Sequence, residues 1–297
     1  MITIVGASGT VGSKIAALLK KQGVRIRLVA RSVDRLRTMV DKRTEAMAGD
    51  ALDTEFLVKA FQGADAVFTL VPPNPVTDDF RAYADRIGGS IAQALEITRV
   101  NYVVNLSSIG ADIPAGTGPI AGLHDQEERL NRIAGLNILH VRAAYFMENL
   151  LMNRDLVLSR GVNGGPIRGD IKLPMIATED IASFCADRLG KRDFTGSSMF
   201  FLLGSRDLSM NEATMTIGIK IGKPNLPYIM FSESETEQRL MAAGLSREMS
   251  RQYIEMSAAF NAGRIKTLRT PENTTQTSFD EFCSRVLVPF YLQKKAA

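Results

Sequence analysis

The first twelve residues, Met1-Ile-Thr-Ile-Val-Gly-Ala-Ser-Gly-Thr-Val-Gly12, constrain what this chain can fold into more than any other stretch. Ile2 to Val5 is a short β-branched apolar run, and Gly6, Gly9 and Gly12 follow it. From Ser13 to Leu19 the sequence reads as a helix with Ile15, Leu18 and Leu19 on one face. Strand, glycine turn and helix, with the spacing G-x-x-G-x-x-G, form a variant of the dinucleotide-binding fingerprint. Gly6 lets the chain turn sharply off the strand. Gly9 has no side chain to keep a pyrophosphate from the backbone. Gly12 lets the helix pack closely on the sheet. A phosphate at this helix N-terminus meets free N–H groups and the positive end of the helix dipole, with Ser8, Thr10 and Val11 completing the turn around it.

The end of the second strand, Val24 to Ala30, bears on which dinucleotide fits. A site for NAD places an acidic residue about 20 residues beyond the glycines, to hold the ribose 2′-hydroxyl. Here the chain has Arg31 and Ser32, with Arg35 beyond. An arginine grips a 2′-phosphate through a planar, charge-assisted fork, which favours NADP(H). The bland alternative is an Arg31 that is merely solvated at a strand end.

A helix is expected over Ser32 to Val40, and a third strand over Glu45 to Ala48. Asp50 can accept from an adenine amino group or simply start the next helix, Thr54 to Phe61. The fourth strand, Ala66 to Val71, runs into Pro72-Pro73-Asn74-Pro75, which cannot continue a central strand. Val71 and Pro72 therefore lie at the carboxyl edge of the sheet, where ligands bind in open α/β folds, along the nicotinamide half of the cofactor. Phe80 to Glu96 is a long helix. The fifth strand, Tyr102 to Leu106, is followed by Ser107 and Ser108, whose hydroxyls face the nicotinamide and its ribose or only begin a polar loop.

The loop Ile113 to Gly122 is long enough to serve as a lid, and a helix His124 to Ile133 follows. Past the sixth strand, Asn137 to Arg142, Tyr145, Phe146 and Met147 form an apolar wall for a flat substrate or pack in the core. Lys172 to Ile176 is extended. Thr178 reads as the N-cap of a helix reaching Leu189, and Met199 to Leu203 is a further strand. Capping-box patterns at Ser209…Glu212, Ser232…Glu235 and Ser278…Glu281 mark later helix starts. The polar segment Arg264 to Thr277 can close over a cleft.

These elements give an α/β chain: a Rossmann-like, doubly wound parallel sheet with a smaller, mainly helical C-terminal domain. The expected division is 1–150 for the dinucleotide-binding domain, with 174–204 returning to it, and 151–297 for the substrate-binding domain. A formal charge of +4, without basic clusters interleaved with aromatics, argues against nucleic acid as a partner. No apolar run reaches the roughly 18 residues of a membrane span, and Met1 leads straight into the first strand without a signal peptide. Cys185 and Cys283 form no CxxC pair, so a reduced, cytoplasmic protein is the simplest expectation. A homodimer stays open.

The segments Gly6 to Gly12, Arg31, Leu106-Ser-Ser-Ile-Gly-Ala111, Gly116-Thr-Gly-Pro-Ile120, Leu123-His124…Glu128 and Phe146-Met-Glu-Asn149 together resemble the NmrA-like family. These are atypical relatives of the short-chain dehydrogenases. The likeness extends over nearly the whole chain and points to a bacterial branch described as NAD(P)H-binding proteins, azoreductases or quinone reductases. It implies an NADP-binding Rossmann domain, a small C-terminal domain and a substrate cleft between them.

Ketone-reducing members of the wider superfamily use Tyr-x-x-x-Lys. Only Tyr291 and Lys295 have that spacing here, and they lie in the C-terminal tail. The lysine that the isoflavone-reductase branch carries after the lid is also missing, because that helix reads Leu123-His-Asp-Gln-Glu-Glu-Arg129. His124 remains as the candidate proton donor, with Glu128 one turn on to orient it; the alternative is that it fixes the lid. His140, inside the sixth strand, reads as structural. No metal-ligand spacing and no G-x-S-x-G elbow occur. The leading expectation is an NADPH-dependent oxidoreductase passing hydride to an electron-poor quinone, azo or similar small molecule, whose reduced form takes its proton from water. A second is an NADP(H) redox sensor acting on a protein partner without turnover. A sugar-nucleotide epimerase is disfavoured, since that chemistry also uses Tyr-Lys.

Overall fold

The computed structural model describes residues 1–293, so Lys295 lies outside the described residues. The chain begins β1 (Ile2–Val5), α1 (Thr10–Lys21), β2 (Ile26–Ala30), α2 (Val33–Arg37), β3 (Thr44–Ala48), α3 (Thr54–Phe61) and β4 (Ala66–Thr69). It continues α4 (Phe80–Thr98), β5 (Tyr102–Ser108), α5 (Pro119–Asn131), β6 (Asn137–Ala143) and the short β7 (Tyr145–Phe146). A 3₁₀ turn, Met147–Asn153, leads to α6 (Arg154–Arg160), β8 (Asn163–Gly165), β9 (Lys172–Ile176), α7 (Thr178–Lys191) and β10 (Ser197–Leu202). The remainder is β11 (Asp207–Ser209), α8 (Met210–Lys220), β12 (Tyr228–Met230), α9 (Glu233–Ala242), α10 (Arg247–Asn261), α11 (Phe279–Phe282) and α12 (Val288–Leu292).

The main sheet has seven strands in the order β10-β6-β5-β4-β1-β2-β3. Every pairing in it is parallel. The order reverses between β1 and β4, which makes that carboxyl edge the topological switch point of a Rossmann-like sheet. Both faces are covered, so β1 and β4 are buried along their whole length. On one face α1 and α7 pack together, burying Ile15, Leu19, Ile181 and Leu189 beneath Ile4, Phe68 and Val104. On the other, α3, α4 and α5 bury Leu57, Phe61, Ile87, Ile91 and Leu130 against Val67, Val103 and Ile138. The C-terminal part adds a β11-β9-β7 sheet, a β12-β8 pair and helices α8 to α10.

Several boundaries differ from the sequence reading, each for a local reason. β4 stops at Thr69, two residues earlier than expected, because the chain leaves the sheet before the prolines. β5 runs on through Ser108, which pairs with Ala143. α5 starts at Pro119, which occupies its first turn after Gly118 at φ 57°, so His124 lies inside the helix rather than at its start. α2 is only Val33–Arg37. Ala177, not Thr178, is the N-cap of α7. Among the three capping patterns, Ser209 and Glu212 close a full box, while Ser232 and Ser278 each contribute a single bond, to the amides of Glu235 and Glu281. The last third contains strands β11 and β12 as well as helices.

Candidate active site

The glycine turn is shaped for a phosphate. Gly6 has φ +70°, and the Gly9 amide donates to the Gly6 carbonyl at 2.9 Å. Gly9 is the N-cap of α1 and makes no side-chain cap, so the first amides of α1 carry no capping side chain. A Cβ on Gly12 would come within 2.4 Å of the Gly6 carbonyl oxygen, so only glycine permits this closeness of helix and turn. Gly9 and Thr10 are exposed, Ser8 is half-buried, and Val11 turns into the core. The residues present thus fit a pyrophosphate cradle: bare backbone and open N–H groups at a helix N-terminus.

Along the carboxyl edge, Arg31 stands exposed at the end of β2, and Ser32 precedes α2 with its hydroxyl unused as a cap. Asp50 accepts from the Leu52 amide at 3.0 Å, so part of its carboxylate serves the turn that leads to α3. Arg31 and Asp50 both act electrostatically on Tyr83, whose hydroxyl donates to the Pro72 carbonyl at 2.9 Å. The ends of β2, β3 and β4 therefore form one continuous rim. Val71 is 9% exposed and Pro72 half-buried on that rim.

Beyond it the two serines part company. Ser108 stays half-buried at the edge, with its hydroxyl donating to the Ile109 carbonyl at 3.0 Å. Ser107 points into the α4–α5 layer and donates to Glu127 Oε1 at 2.5 Å. That hydroxyl is committed to the protein, so the expectation that Ser107 faces the nicotinamide is corrected. Glu127, only 4% exposed, is also gripped by Arg142 through Nε at 3.0 Å and Nη2 at 2.6 Å. Arg142 faces Asp112, just before the lid, at 3.7 Å and lies over the Phe201 ring.

His124 is half-buried, and its Nδ1 donates to the Ala111 carbonyl at 2.8 Å. The bond pins the root of the lid and, in the neutral ring, leaves Nε2 as the open nitrogen. The tip of the lid is held as well. Arg264 donates to the carbonyls of Ala115 and Gly116, both at 3.0 Å, and a Cβ on Gly118 would come within 2.0 Å of the Gln252 carbonyl oxygen of α10. Ile265 covers Gly110. The start of the Arg264–Thr277 segment and α10 thus close over this loop. α10 is tied to the loop after β4 too, through Ser246, whose amide donates to Pro75 and whose hydroxyl donates to Thr77.

Tyr145 and Phe146 are half-buried just past β6, whereas Met147 is 1% exposed and belongs to the core. Of the two readings open for Met147, wall or core, its burial fits core packing: the 3₁₀ turn that starts with it carries its side chain inward. The following Glu148 receives the Thr178 amide at 3.0 Å and the Thr178 hydroxyl, and Lys14 of α1 reaches the same group. Glu148 therefore joins the start of α7 to α1. Neither Glu127 nor Glu148 was marked as a site residue in the sequence, because their partners are far away along the chain.

His140 is held neutral. Its Nδ1 accepts from Asn105 at 3.1 Å, its Nε2 donates to Asn131 at 2.9 Å, and burial lowers its pKa to about 4. Both cysteines are buried and free, with burial raising their thiols. Tyr291 is buried with its hydroxyl donating to the Leu150 carbonyl. Among the described residues no cluster could hold a metal ion, and no helix is long and apolar enough to cross a membrane.

A family model for NAD(P)H binding matches residues 6–192. The chain belongs to the NAD(P)H-binding family. The NAD(P)H azoreductase of Xenophilus azovorans is 25% identical over 288 residues, covering 95% of this chain and 96% of that protein. The fold is shared with the NADPH-dependent quinone oxidoreductase QOR2 of Escherichia coli complexed with NADPH, at TM-score 0.80 and 19% identity over 97% of this chain and 100% of that one. It is shared also with NmrA, a negative transcriptional regulator in complex with NADP, at TM-score 0.71 and 14% identity, covering 96% and 94%.

Proposed function

We propose that the chain is an NADPH-dependent oxidoreductase acting on an electron-poor, flat small molecule of the quinone or azo class. One observation carries this reading: an open dinucleotide cradle lies on a sheet edge where the first two turns of α5 offer His124 but no Tyr-x-x-x-Lys pair. The end-to-end similarity to an azoreductase supports it. NADPH in the cradle supplies a hydride. Gly6, Ser8, Gly9, Thr10, Val11 and Gly12 surround the pyrophosphate, Arg31 and Ser32 take the 2′-phosphate, and Asp50 lies near the adenine. Val71, Pro72 and Ser108 flank the nicotinamide half, while Tyr145 and Phe146 wall the acceptor. His124, tied to the lid through Nδ1, positions the loop over the ring and presents Nε2 to the cleft.

NADPH oxidation, followed at the nicotinamide absorbance band against a panel of quinones, azo dyes, enones and ketones, tests the reading. Turnover of quinones or azo dyes without ketone activity is expected. The likeness to NmrA favours one other reading, an NADP(H) sensor that acts through a protein partner. Tight NADPH binding with no turnover across the panel would overturn the enzyme reading in its favour.

A further inference from the structure

The Phe146-Met-Glu-Asn149 segment holds a carboxylate that the cofactor rim does not explain. Just before it, β7 pairs in parallel with β9, Tyr145 with Met175 and Phe146 with Ile176. The ladder ends there, because a 3₁₀ turn begins at Met147 and α7 begins at Thr178. Two residues further along each segment, at Glu148 and Thr178, a side chain takes over from the ladder in the same register. Glu148 Oε1 and Oε2 accept from the Thr178 amide at 3.0 and 3.1 Å, and the Thr178 hydroxyl donates to Oε1. Thr178 is fully buried and the Glu148 side chain is 13% exposed, so water competes little for these bonds.

The start of α7 needs this group. Its N-cap, Ala177, has no side chain that can accept a hydrogen bond. Glu148 supplies the acceptor from a distant part of the chain and sets negative charge at the positive end of the helix dipole. The same carboxylate reaches α1. Lys14 Nζ lies 3.4 Å from Glu148 Oε1 and donates to the Thr178 hydroxyl oxygen at 2.5 Å. Lys14 stands two residues past Gly12, so the helix it fastens is the one that starts at the glycine turn. Three elements thus meet at one carboxylate: α1, the start of α7, and the turn that leaves Tyr145 and Phe146. The β7 ladder is only two residues long, so this clamp carries much of what fixes those two side chains in place.

We propose that Glu148 is a positioning residue: through Thr178 and Lys14 it sets where the Tyr145–Phe146 wall stands relative to a nicotinamide held from α1. This rests on the oxidoreductase reading above, in which that wall faces the acceptor. Hydride transfer needs the reacting atoms about 3–3.5 Å apart, and a misplacement of about 1 Å costs on the order of a hundredfold in rate. Glu148 acts on the reaction only through its neighbours. Losing it frees the start of α7 from the turn after β7, and frees both from α1. The wall then shifts against the cofactor, while the glycine turn, which makes its own bonds, keeps its shape.

The test compares Glu148→Ala, Glu148→Gln and Lys14→Met with the parent in NADPH-driven reduction of a naphthoquinone, with and without deuterium at the transferred position of NADPH. Expected for Glu148→Ala are a fall of at least about tenfold in kcat, a rise of at least about threefold in quinone KM and a larger primary isotope effect on kcat. Affinity for NADPH stays within about twofold of the parent. Glu148→Gln keeps an oxygen for the Thr178 amide and loses the charge facing Lys14. It and Lys14→Met therefore move the same quantities in the same direction, but less. A cap with a purely structural role would lower the denaturation midpoint and the folded fraction, which scales kcat without moving KM or the isotope effect. Parent-like KM and isotope effect in Glu148→Ala, or in both milder variants if that one does not fold, overturn the proposal. If the parent turns over no acceptor, the oxidoreductase reading itself falls, and a second arm decides the role of Glu148. That arm measures binding of the same naphthoquinone to the NADP⁺-loaded protein, where at least about fivefold weakening is expected in Glu148→Ala. Unchanged binding, or a parent that binds no quinone, overturns the positioning role.

Discussion

Arg31 stands exposed at the rim, paired with no carboxylate among the described residues, so its guanidinium is available to a 2′-phosphate. A charge-assisted pair there contributes roughly 1.5–3 kcal/mol. Arg31→Ala should therefore weaken NADPH binding by about tenfold or more while leaving NADH within about twofold. Equal losses for the two cofactors, measured by fluorescence titration, would show that Arg31 does not read the phosphate. Gly12 gives a prediction of another kind. Its missing Cβ is what lets α1 approach the Gly6 carbonyl, so Gly12→Ala should push the turn open and lower affinity for NADPH and NADH alike. The closeness at Gly12 was legible in the sequence because the motif is local: strand, turn and helix are neighbours in the chain. Ser107 and Met147 were not, because their direction depends on which face of a strand or turn the rest of the molecule covers. Alternation along β5 puts Ser107 on the side of Asn105 and α5, and only the presence of Glu127 there decides what its hydroxyl does.

At the scale of elements, α5 and the lid behave as one piece. Glu127 collects Ser107 from β5 and Arg142 from β6, and His124 holds Ala111, so one helix fixes two strand ends and the loop root. Glu127→Ala would leave the Arg142 guanidinium, 12% exposed, without its main partner. Removing one member of such a buried pair typically costs about 3–5 kcal/mol, and the denaturant midpoint should fall accordingly; a change below about 1 kcal/mol would mean that Asp112 swings in to replace it. The lid tip depends on Arg264 instead. Arg264→Ala removes both bonds to the Ala115 and Gly116 carbonyls, and amide hydrogen exchange across residues 112–118 should quicken at least about tenfold. Unchanged exchange would show that α10 alone keeps the loop in place. The sequence disclosed that a lid-sized loop exists here, but not that it is clasped, since Arg264 lies 148 residues from Gly116. It also hid the true start of α5, because a glycine with positive φ before a proline reads equally well as more loop.

Across the whole molecule, the parallel sheet was legible from alternating apolar runs and helical stripes, because burial on both faces forces strands to be apolar throughout. A polar seam through that sheet was not, beyond His140 reading as structural. His140 on β6 sits beside Asn105 on β5, and the bond that Nδ1 accepts from Asn105 fits only the neutral ring. Burial is the largest cause of its pKa falling from 6.5 to about 4, against a smaller upward pull from Glu127. In the unfolded chain the ring binds a proton near pH 6.5, so between pH 6.5 and 4 the unfolded state holds more protons than the folded one. Stability from this residue is therefore complete above pH 6.5 and is lost as the pH falls through that window. By pH 5 the loss amounts to about 2 kcal/mol, and it approaches about 3 kcal/mol near pH 4. Urea unfolding of the parent and of His140→Gln at pH 7 and pH 5 isolates this contribution, since the carboxylates titrate alike in both. The parent should lose about 2 kcal/mol more than the variant between the two pH values. Equal losses would mean that the ring takes up its proton inside the fold, with Asn105 turning its amide oxygen to Nδ1 to suit the charged form.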